Sequence, residues 1–281
     1  MEKLIKTKTG HHFYIKDTPG SLGTIIAVHG LTGNHKQLYH YQQAFYNKYR
    51  FITYDVRGRG NSDQTSANTS IYTHANDLIN LIEELDIKRP ILMGYSMGAY
   101  ISAIVASRLK NIEALILLDG VGTADDVSRE LVLPSLKRLE KVFESPKEYV
   151  NEVEFLYKNL LVDWNDLIAE MVAYDIKQMD TGWIHKSDTK LIEQDFESFY
   201  TFNHDEVCTK IIVPTLLYIA KGKIGNKASL FQENGYLKTR ETIKNIETNE
   251  TNVNHYELVF NEQPQIIQQI EEFLTKQGGS K

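Results

Sequence analysis

The stretch Gly94-Tyr95-Ser96-Met97-Gly98 decides the fold of this chain, and it lies between two apolar segments. The preceding run, Ile91-Leu92-Met93, has the composition of a buried strand, and the segment from Ala99 onward is typical of a buried helix. A serine at the apex of such a turn adopts a strained backbone conformation, and a glycine two positions away on either side leaves room for it. The pattern predicts a nucleophile elbow that displays the hydroxyl of Ser96.

The residue after the serine has a second predicted role. Met97 opens the helix, where backbone N–H groups have no acceptor within the helix and the helix dipole favours negative charge. We therefore expect the amide of Met97 to form half of an oxyanion hole.

Composition limits the classes of protein to be considered. The 281 residues are 42% hydrophobic and 24% charged, as in a soluble globular protein. A net charge of -6 without a basic run argues against a nucleic-acid partner. The single cysteine, Cys208, excludes an internal disulfide, and no signal peptide or membrane span is recognisable. We expect a cytoplasmic protein with a small-molecule substrate, without a membrane partner, as a monomer or homodimer.

Strand and helix patterns alternate along most of the chain. A hairpin is predicted at residues 3–7 and 11–16, and the other predicted strands are 23–28, 50–54, the elbow strand, 112–118, 211–219 and 244–248. The predicted helices outside residues 122–208 are 36–47, 74–86, the elbow helix to about Lys110, and 262–275. This order predicts a mostly parallel sheet with helices on both faces and a site at the carboxyl ends of the strands.

The strand rhythm stops between about residues 122 and 208. Helices are predicted there at 131–143, 147–161 and 164–174, without a strong strand pattern. We interpret residues 122–208 as an all-helical cap, or lid, on a core domain formed by residues 1–121 and 209–281. The small polar tail, residues 277–281, is predicted to be mobile.

Taken together, five elements in chain order resemble the α/β-hydrolase superfamily over nearly the whole chain. They are Val28-His29-Gly30, the turn from Asp55 to Ser62, the Gly94 to Gly98 elbow, Pro214-Thr215-Leu216-Leu217, and Asn254-His255 followed by Gln263-Pro264. The resemblance implies the α/β-hydrolase fold, Ser96 as nucleophile, His255 as general base, and the amides of Leu31 and Met97 as oxyanion hole. A neutral imidazole suits this task because an unperturbed histidine titrates at about 6.5.

The acid of the expected triad departs from the usual family pattern. Most members carry it just after the strand that here ends near Ile219, yet residues 220–226 contain no carboxylate. A minority of the superfamily places the acid after the preceding strand, where this chain has Asp119. The catalytic interpretation of Asp119 competes with that of a turn cap, and Glu233 is the second candidate.

Four further residues are predicted to bind substrate: His29, Tyr95, Trp164 and Trp183. For His29 a brace of the oxyanion loop is the favoured alternative. Histidines 35, 40, 74, 185 and 204 are interpreted as surface or loop residues, and the glycine-rich turn from Asp55 to Ser62 as scaffold. No metal and no cofactor are assigned, because no pair of histidines with nearby carboxylates has the spacing of metal ligands on one helix face.

The leading hypothesis is a serine hydrolase that cleaves a small apolar carboxylic ester through an acyl-enzyme. Two alternatives stay open. One is a carbon–carbon bond hydrolase or cofactor-free dioxygenase with the same residues, and the other is a ligand sensor that turns over slowly.

Overall fold

A central sheet of eight strands organises the protein, whose computed structural model describes residues 1–278. The strands in chain order are β1 Glu2–Lys6, β2 His12–Thr18, β3 Thr24–Val28, β4 Arg50–Tyr54, β5 Pro90–Tyr95, β6 Ala114–Leu118, β7 Val142–Phe143, β8 Ile176–Met179, β9 Gly182–His185, β10 Thr215–Ala220 and β11 Ile246–Thr251. The central sheet has the order β1-β2-β4-β3-β5-β6-β10-β11. Pairing is parallel from β4 to β11, whereas β1 and β2 form an antiparallel hairpin at one edge.

Helices pack around this sheet and also follow β6 as part of the insertion. In chain order they are α1 Tyr39–Ala44, α2 Ile71–Glu84, α3 Met97–Arg108, α4 Asp126–Leu136, α5 Pro146–Asn159, α6 Asp166–Ala173, α7 Thr189–Glu197, α8 His204–Cys208, α9 Leu237–Thr242, α10 Glu257–Phe260 and α11 Pro264–Gly278. Short 3-10 segments occupy Lys137–Glu140, Ser198–Thr201 and Glu233–Tyr236. Among residues 1–278, no helix is both long and apolar enough to cross a bilayer.

The central strands are apolar along their length because both of their faces are covered. Every residue of β5, β6 and β10 is buried, and one apolar cluster lies on each side of the sheet. Since these neighbouring strands run parallel, their carboxyl ends meet at one edge of the sheet. The predicted α/β-hydrolase sheet is confirmed, and this edge is where Ser96, Asp119 and the loop after β10 come together.

The segment between β6 and β10 differs from the prediction of an all-helical cap. It holds helices α4 to α8, but β7, β9 and β8 also form a small antiparallel sheet. The strands of this sheet are two to four residues long and carry exposed polar residues such as Lys177 and Gln178, so the sequence lacks a clear alternating pattern. The predicted mobile tail lies partly in α11, which reaches Gly278, and from residue 279 it falls outside the described residues.

A buried ionic cluster fastens the insertion to the core. The Asp195 carboxylate of α7 accepts from Arg59 Nη1 at 2.6 Å, His74 Nε2 at 2.9 Å and Thr69 Oγ1 at 2.6 Å. Burial alone would raise the pKa of Asp195, but the charge of Arg59 and the bonds from His74 and Thr69 lower it below its usual range. The charged form of Asp195 is therefore the one that this contact stabilises.

Histidines 74, 185 and 204 are buried within helices or strands, so their interpretation as surface or loop residues is wrong. His35 lies in a loop, as predicted, although it is buried. The turn after β4 has the predicted scaffold role, because both of its arginines are paired inside the chain. Arg57 Nε lies 2.7 Å from Asp77 Oδ2, and Arg59 is held by Asp195.

The cluster around Asp195 yields a stability prediction. Asp195→Asn leaves the buried Arg59 guanidinium without its counter-charge, and breaking a buried pair in this way costs about 3 to 5 kcal/mol. Urea unfolding should show a lower midpoint for this variant. Glu197→Gln is the control. Glu197 lies in the same helix as Asp195 and forms an exposed ion pair with Arg129, so this variant should unfold close to the wild type. Equal midpoints for Asp195→Asn and the wild type would contradict the prediction.

Candidate active site

The elbow at Ser96 has the strained backbone that the sequence predicts. Ser96 has φ 53° and ψ -116° and stands between β5 and α3. A Cβ atom at Gly94 would lie 2.2 Å from the carbonyl oxygen of Gly98, and one at Gly98 would lie 2.1 Å from that of Val28. Only glycine fits at either position, because these contacts are with backbone atoms that cannot move aside.

A carboxylate and an imidazole meet beside this elbow. Asp119 follows β6 with φ 48°, and its Oδ2 lies 2.6 Å from His255 Nδ1, in the turn after β11. Its Oδ1 accepts hydrogen bonds from the Tyr236 hydroxyl at 2.8 Å and from the Ala220 amide at 2.9 Å. Asp119 is fully buried, so these donors replace the water that a carboxylate would otherwise need. The structure thus joins Asp119 to His255, as the sequence hypothesis expects.

Glu233, the second candidate for the acid, lies elsewhere. Its side chain is 59% exposed, and its carboxylate is 3.8 Å from Lys221 Nζ. Glu233 and Tyr236 share one 3-10 turn, and Tyr236 is the residue that faces inward to Asp119. Burial and the charge of Asp119 raise the pKa of Tyr236 well above its usual range, so its phenol stays protonated and donates. The sequence carries no local signal for this contact, because the turn follows a loop.

Tyr95 holds the imidazole from the other side. Its hydroxyl donates to the backbone oxygen of His255 at 2.9 Å, and the two rings stack with centroids 4.7 Å apart. Tyr95 also lines the cleft above the elbow, as predicted for a substrate-binding residue. The geometry gives it a positioning role toward His255 as well.

The predicted oxyanion loop lines the same cleft as His255. The Gly30 amide donates to Gln37 Oε1 at 2.7 Å, and Arg59 Nε donates to the carbonyl oxygen of Leu31 at 3.0 Å. These bonds fix the loop around Leu31, which lines the same cleft as Ser96. Met97 is the first residue of α3, where a backbone amide has no acceptor in its own helix. Leu31 and Met97 remain the predicted donors to an oxyanion.

His29 braces this loop, which is the alternative that the sequence favours over substrate binding, and it does not line the cleft. Its Nδ1 lies 2.7 Å from the carbonyl oxygen of Gly30, and its Nε2 accepts from the Val56 amide at 3.0 Å. Both ring nitrogens are thereby used. Burial lowers the pKa of His29 to about 4, which keeps the ring neutral.

A cleft with about 600 Å³ of empty space, part of it open to solvent, lies over Ser96 and His255. Trp164 and Trp183, which were predicted to bind substrate, do not line this cleft. Trp164 packs edge-on against Tyr157, and Trp183 pairs with Phe143 across the small antiparallel sheet. Both tryptophans pack at the margin of the apolar cluster on one side of the central sheet.

Sequence reasoning missed most of the walls of the cleft, which come largely from the insertion and the loop after β10. These residues are Ser128, Val132, Ser135, Leu136, Tyr157, Phe196, Phe199, Leu230, Phe231 and Tyr256. Tyr157, Phe196 and Phe199 belong to the insertion, which contains many other aromatic residues. Which aromatic residues face the cleft depends on how the insertion packs, and composition does not determine that.

Comparison with known proteins agrees with the geometry. A family model described as the alpha/beta hydrolase fold matches residues 23–161. The solved structure of E-2-(acetamidomethylene)succinate hydrolase superposes with a TM-score of 0.84 over 98% of this chain and 99% of that one, at 16% identity. The chain has the α/β-hydrolase fold, and almost half of it matches the family model of that name. An esterase from Exiguobacterium antarcticum shares the fold with a TM-score of 0.73, at 16% identity over 98% of this chain and all of that one.

Curated sequences match this chain over a shorter region than the solved structures do. The AB hydrolase superfamily protein YisY of Bacillus subtilis is 34% identical over 128 residues, which are 44% of this chain and 47% of YisY. An uncharacterised protein of Mycobacterium tuberculosis is 29% identical over 118 residues, 42% of this chain and 35% of that protein. The chain thus spans less than half the length of either relative.

The contact between Asp119 and His255 yields a kinetic prediction. Asp119→Asn presents an amide that does not hold the imidazole in the tautomer needed to accept a proton from serine, so kcat for an ester substrate should fall about 10²- to 10⁴-fold. Steady-state kinetics and a melting curve of the same preparation measure the two effects separately. Glu233→Gln is the control and should retain near-normal kcat. Near-normal turnover by Asp119→Asn would overturn the assignment of the acid.

Proposed function

We propose that the protein is a serine hydrolase that cleaves carboxylic esters with a small, mainly apolar acyl part. One observation carries the proposal. His255 is held through Nδ1 by the buried Asp119 carboxylate at 2.6 Å, and it lines the same cleft as the strained Ser96. A serine hydroxyl is a weak nucleophile unless a positioned base takes its proton, and this pairing supplies such a base.

The proposed reaction proceeds through an acyl-enzyme. His255 Nε2 takes the proton from the Ser96 hydroxyl as the serine oxygen attacks the ester carbonyl, and Asp119 stabilises the imidazolium that results. The amides of Leu31 and Met97 donate to the oxyanion. His255 then passes the proton to the departing alcohol. In the second half of the reaction, His255 takes a proton from water as the water attacks the acyl-enzyme, and it returns this proton to Ser96 as the acid leaves.

The lining of the cleft supports an apolar acyl group. Aliphatic and aromatic side chains form much of its wall; they are Leu31, Val132, Leu136, Phe196, Phe199, Leu230 and Phe231. Burial of apolar surface on such walls contributes roughly 25 cal/mol per Å². The fold shared with a solved esterase is in keeping with this proposal.

Carbon–carbon bond cleavage, cofactor-free oxygenation and slow-turnover ligand sensing are the alternatives that experiment has to separate from ester hydrolysis. A carbon–carbon hydrolase or a dioxygenase would give little turnover across a range of simple esters. A sensor would bind ligand without forming an acyl-enzyme. An ester panel together with mass measurement of the acylated protein distinguishes all three from the proposed activity.

Ser96→Ala tests the nucleophile directly. The variant should lose ester turnover by on the order of 10³-fold or more, since only binding and oxyanion effects remain. It should also resist labelling by a fluorophosphonate probe that modifies the wild type. A panel of p-nitrophenyl esters of rising acyl length measures turnover, and intact mass measures labelling.

Ser102→Ala is a matched control, because it removes a buried serine of the same helix that does not line the cleft. It should keep both turnover and labelling. If Ser96→Ala kept more than a tenth of the wild-type kcat on any good ester, Ser96 would not be the nucleophile.

A further inference from the structure

Arg138 differs from the two arginines that the core holds in its interior. Arg57 lies 2.7 Å from the carboxylate of Asp77, and Arg59 lies 2.6 Å from that of Asp195. Arg138, in the 3-10 segment after α4, has no carboxylate within 4.0 Å among residues 1–278. Its Nε is buried without a hydrogen-bond partner in the same part of the chain. Burying a guanidinium in this way costs free energy of folding unless an anion pairs with it.

The groups around Arg138 do not supply that anion. Its Nη1 donates to the carbonyl oxygen of Ser135 at 3.1 Å, and the phenols of Tyr149, Tyr157 and Tyr256 are its electrostatic neighbours. Burial raises the pKa of each of these tyrosines, so they stay neutral. They offer dipoles to the guanidinium but no negative charge.

Asp175 is the remaining acidic neighbour, and it is engaged elsewhere. Its Oδ1 accepts from Asn34 Nδ2 at 2.8 Å, which ties the segment after α6 to the oxyanion loop. Burial raises the pKa of Asp175 to about 7, so it is only partly ionised at neutral pH. Asp175 and Arg138 attract each other only at longer range, because no ion pair joins them within 4.0 Å in residues 1–278.

Arg138 adjoins the proposed substrate cleft. Ser135, which accepts a hydrogen bond from Arg138, and Tyr157 and Tyr256, which interact with its charge, all line the cleft that contains Ser96 and His255. Ser135, Tyr157 and Tyr256 thus connect the unpaired cation to the place where an acyl chain would lie. The same cleft is also lined by apolar side chains.

We propose that Arg138 recognises a carboxylate on the substrate, so that the preferred esters are half-esters of dicarboxylic acids with an apolar chain between the two ends. This inference rests on the proposed ester hydrolysis and names its substrate class. A guanidinium matches a carboxylate because its planar N–H groups donate two parallel hydrogen bonds. Tyr157 and Tyr256 provide further donors beside it.

The test compares monomethyl esters from monomethyl succinate to monomethyl suberate with methyl esters of the monocarboxylic acids of equal length. At the best length the wild type should prefer the acid-bearing ester by about 10- to 100-fold in kcat/KM, as expected for a charge-assisted hydrogen bond. Arg138→Gln should bring this ratio close to one. Arg138→Lys, which keeps the charge without the planar fork, should give an intermediate ratio.

Arg129→Gln is the matched control. It removes an arginine of the same insertion whose guanidinium already pairs with Glu197, and it should keep the wild-type ratio. Melting curves establish that each variant is folded. A wild-type ratio near one at every chain length would overturn the proposal whatever the variants do, and so would a high ratio that persists in a folded Arg138→Gln.

A binding experiment separates this inference from the proposed hydrolysis. Calorimetry measures the affinity of Ser96→Ala for monomethyl adipate, and the double variant with Arg138→Gln should bind at least about tenfold more weakly. If the wild type hydrolyses no ester but this difference holds, the proposed reaction is wrong and the carboxylate site stands. Equal affinity of the single and double variants would overturn the carboxylate site.

Discussion

The burial of the Asp119 carboxylate is the constraint on which the site depends. A charge in the interior is tolerated only when its lone pairs are filled, and three donors fill them here: His255 Nδ1, the Tyr236 hydroxyl and the Ala220 amide. Each donor comes from a different part of the chain, after β11, before α9 and at the end of β10. The parallel order β5-β6-β10-β11 brings these parts to one edge of the sheet, beside Ser96. The strand order of the fold therefore also determines the geometry of the candidate site.

The division of labour between core and insertion follows from this arrangement. Strand ends and the turns after them hold the reactive groups, and their backbone is strained at both Ser96 and Asp119, which have positive φ. Helices α4, α5 and α7 of the insertion contribute to the wall of the cleft over the strand ends; their lining residues are Ser128, Val132, Ser135, Leu136, Tyr157 and Phe196. Arg59, in the turn after β4, makes two contacts. It pairs with Asp195 of the insertion, and it donates a hydrogen bond to Leu31 of the oxyanion loop. A change in how the insertion packs on the core should therefore alter both the wall of the cleft and the oxyanion loop.

Much of the fold and the centre of the site were predictable from sequence, because they rest on local rules. The elbow glycines, the apolar strands and the absence of a carboxylate from residues 220–226 are visible in the chain itself, and they led to Asp119. The hydrogen bond from Tyr236 to Asp119 was not predictable from the sequence, because it depends on the path of the loop before Tyr236. The short strands of the insertion carry too few residues for a periodic signal. Trp164 and Trp183, predicted to bind substrate, instead pack at the margin of the core, because tertiary packing decides which way each ring faces.

The most direct test of the central claim is the proton NMR spectrum of the imidazole of His255. A short hydrogen bond to a buried carboxylate shifts the Nδ1 proton downfield of all backbone amides and slows its exchange with water. The spectrum should show such a resonance in the wild type and in Glu233→Gln, and none in Asp119→Asn. A resonance that survives in Asp119→Asn and disappears in Glu233→Gln would contradict the account.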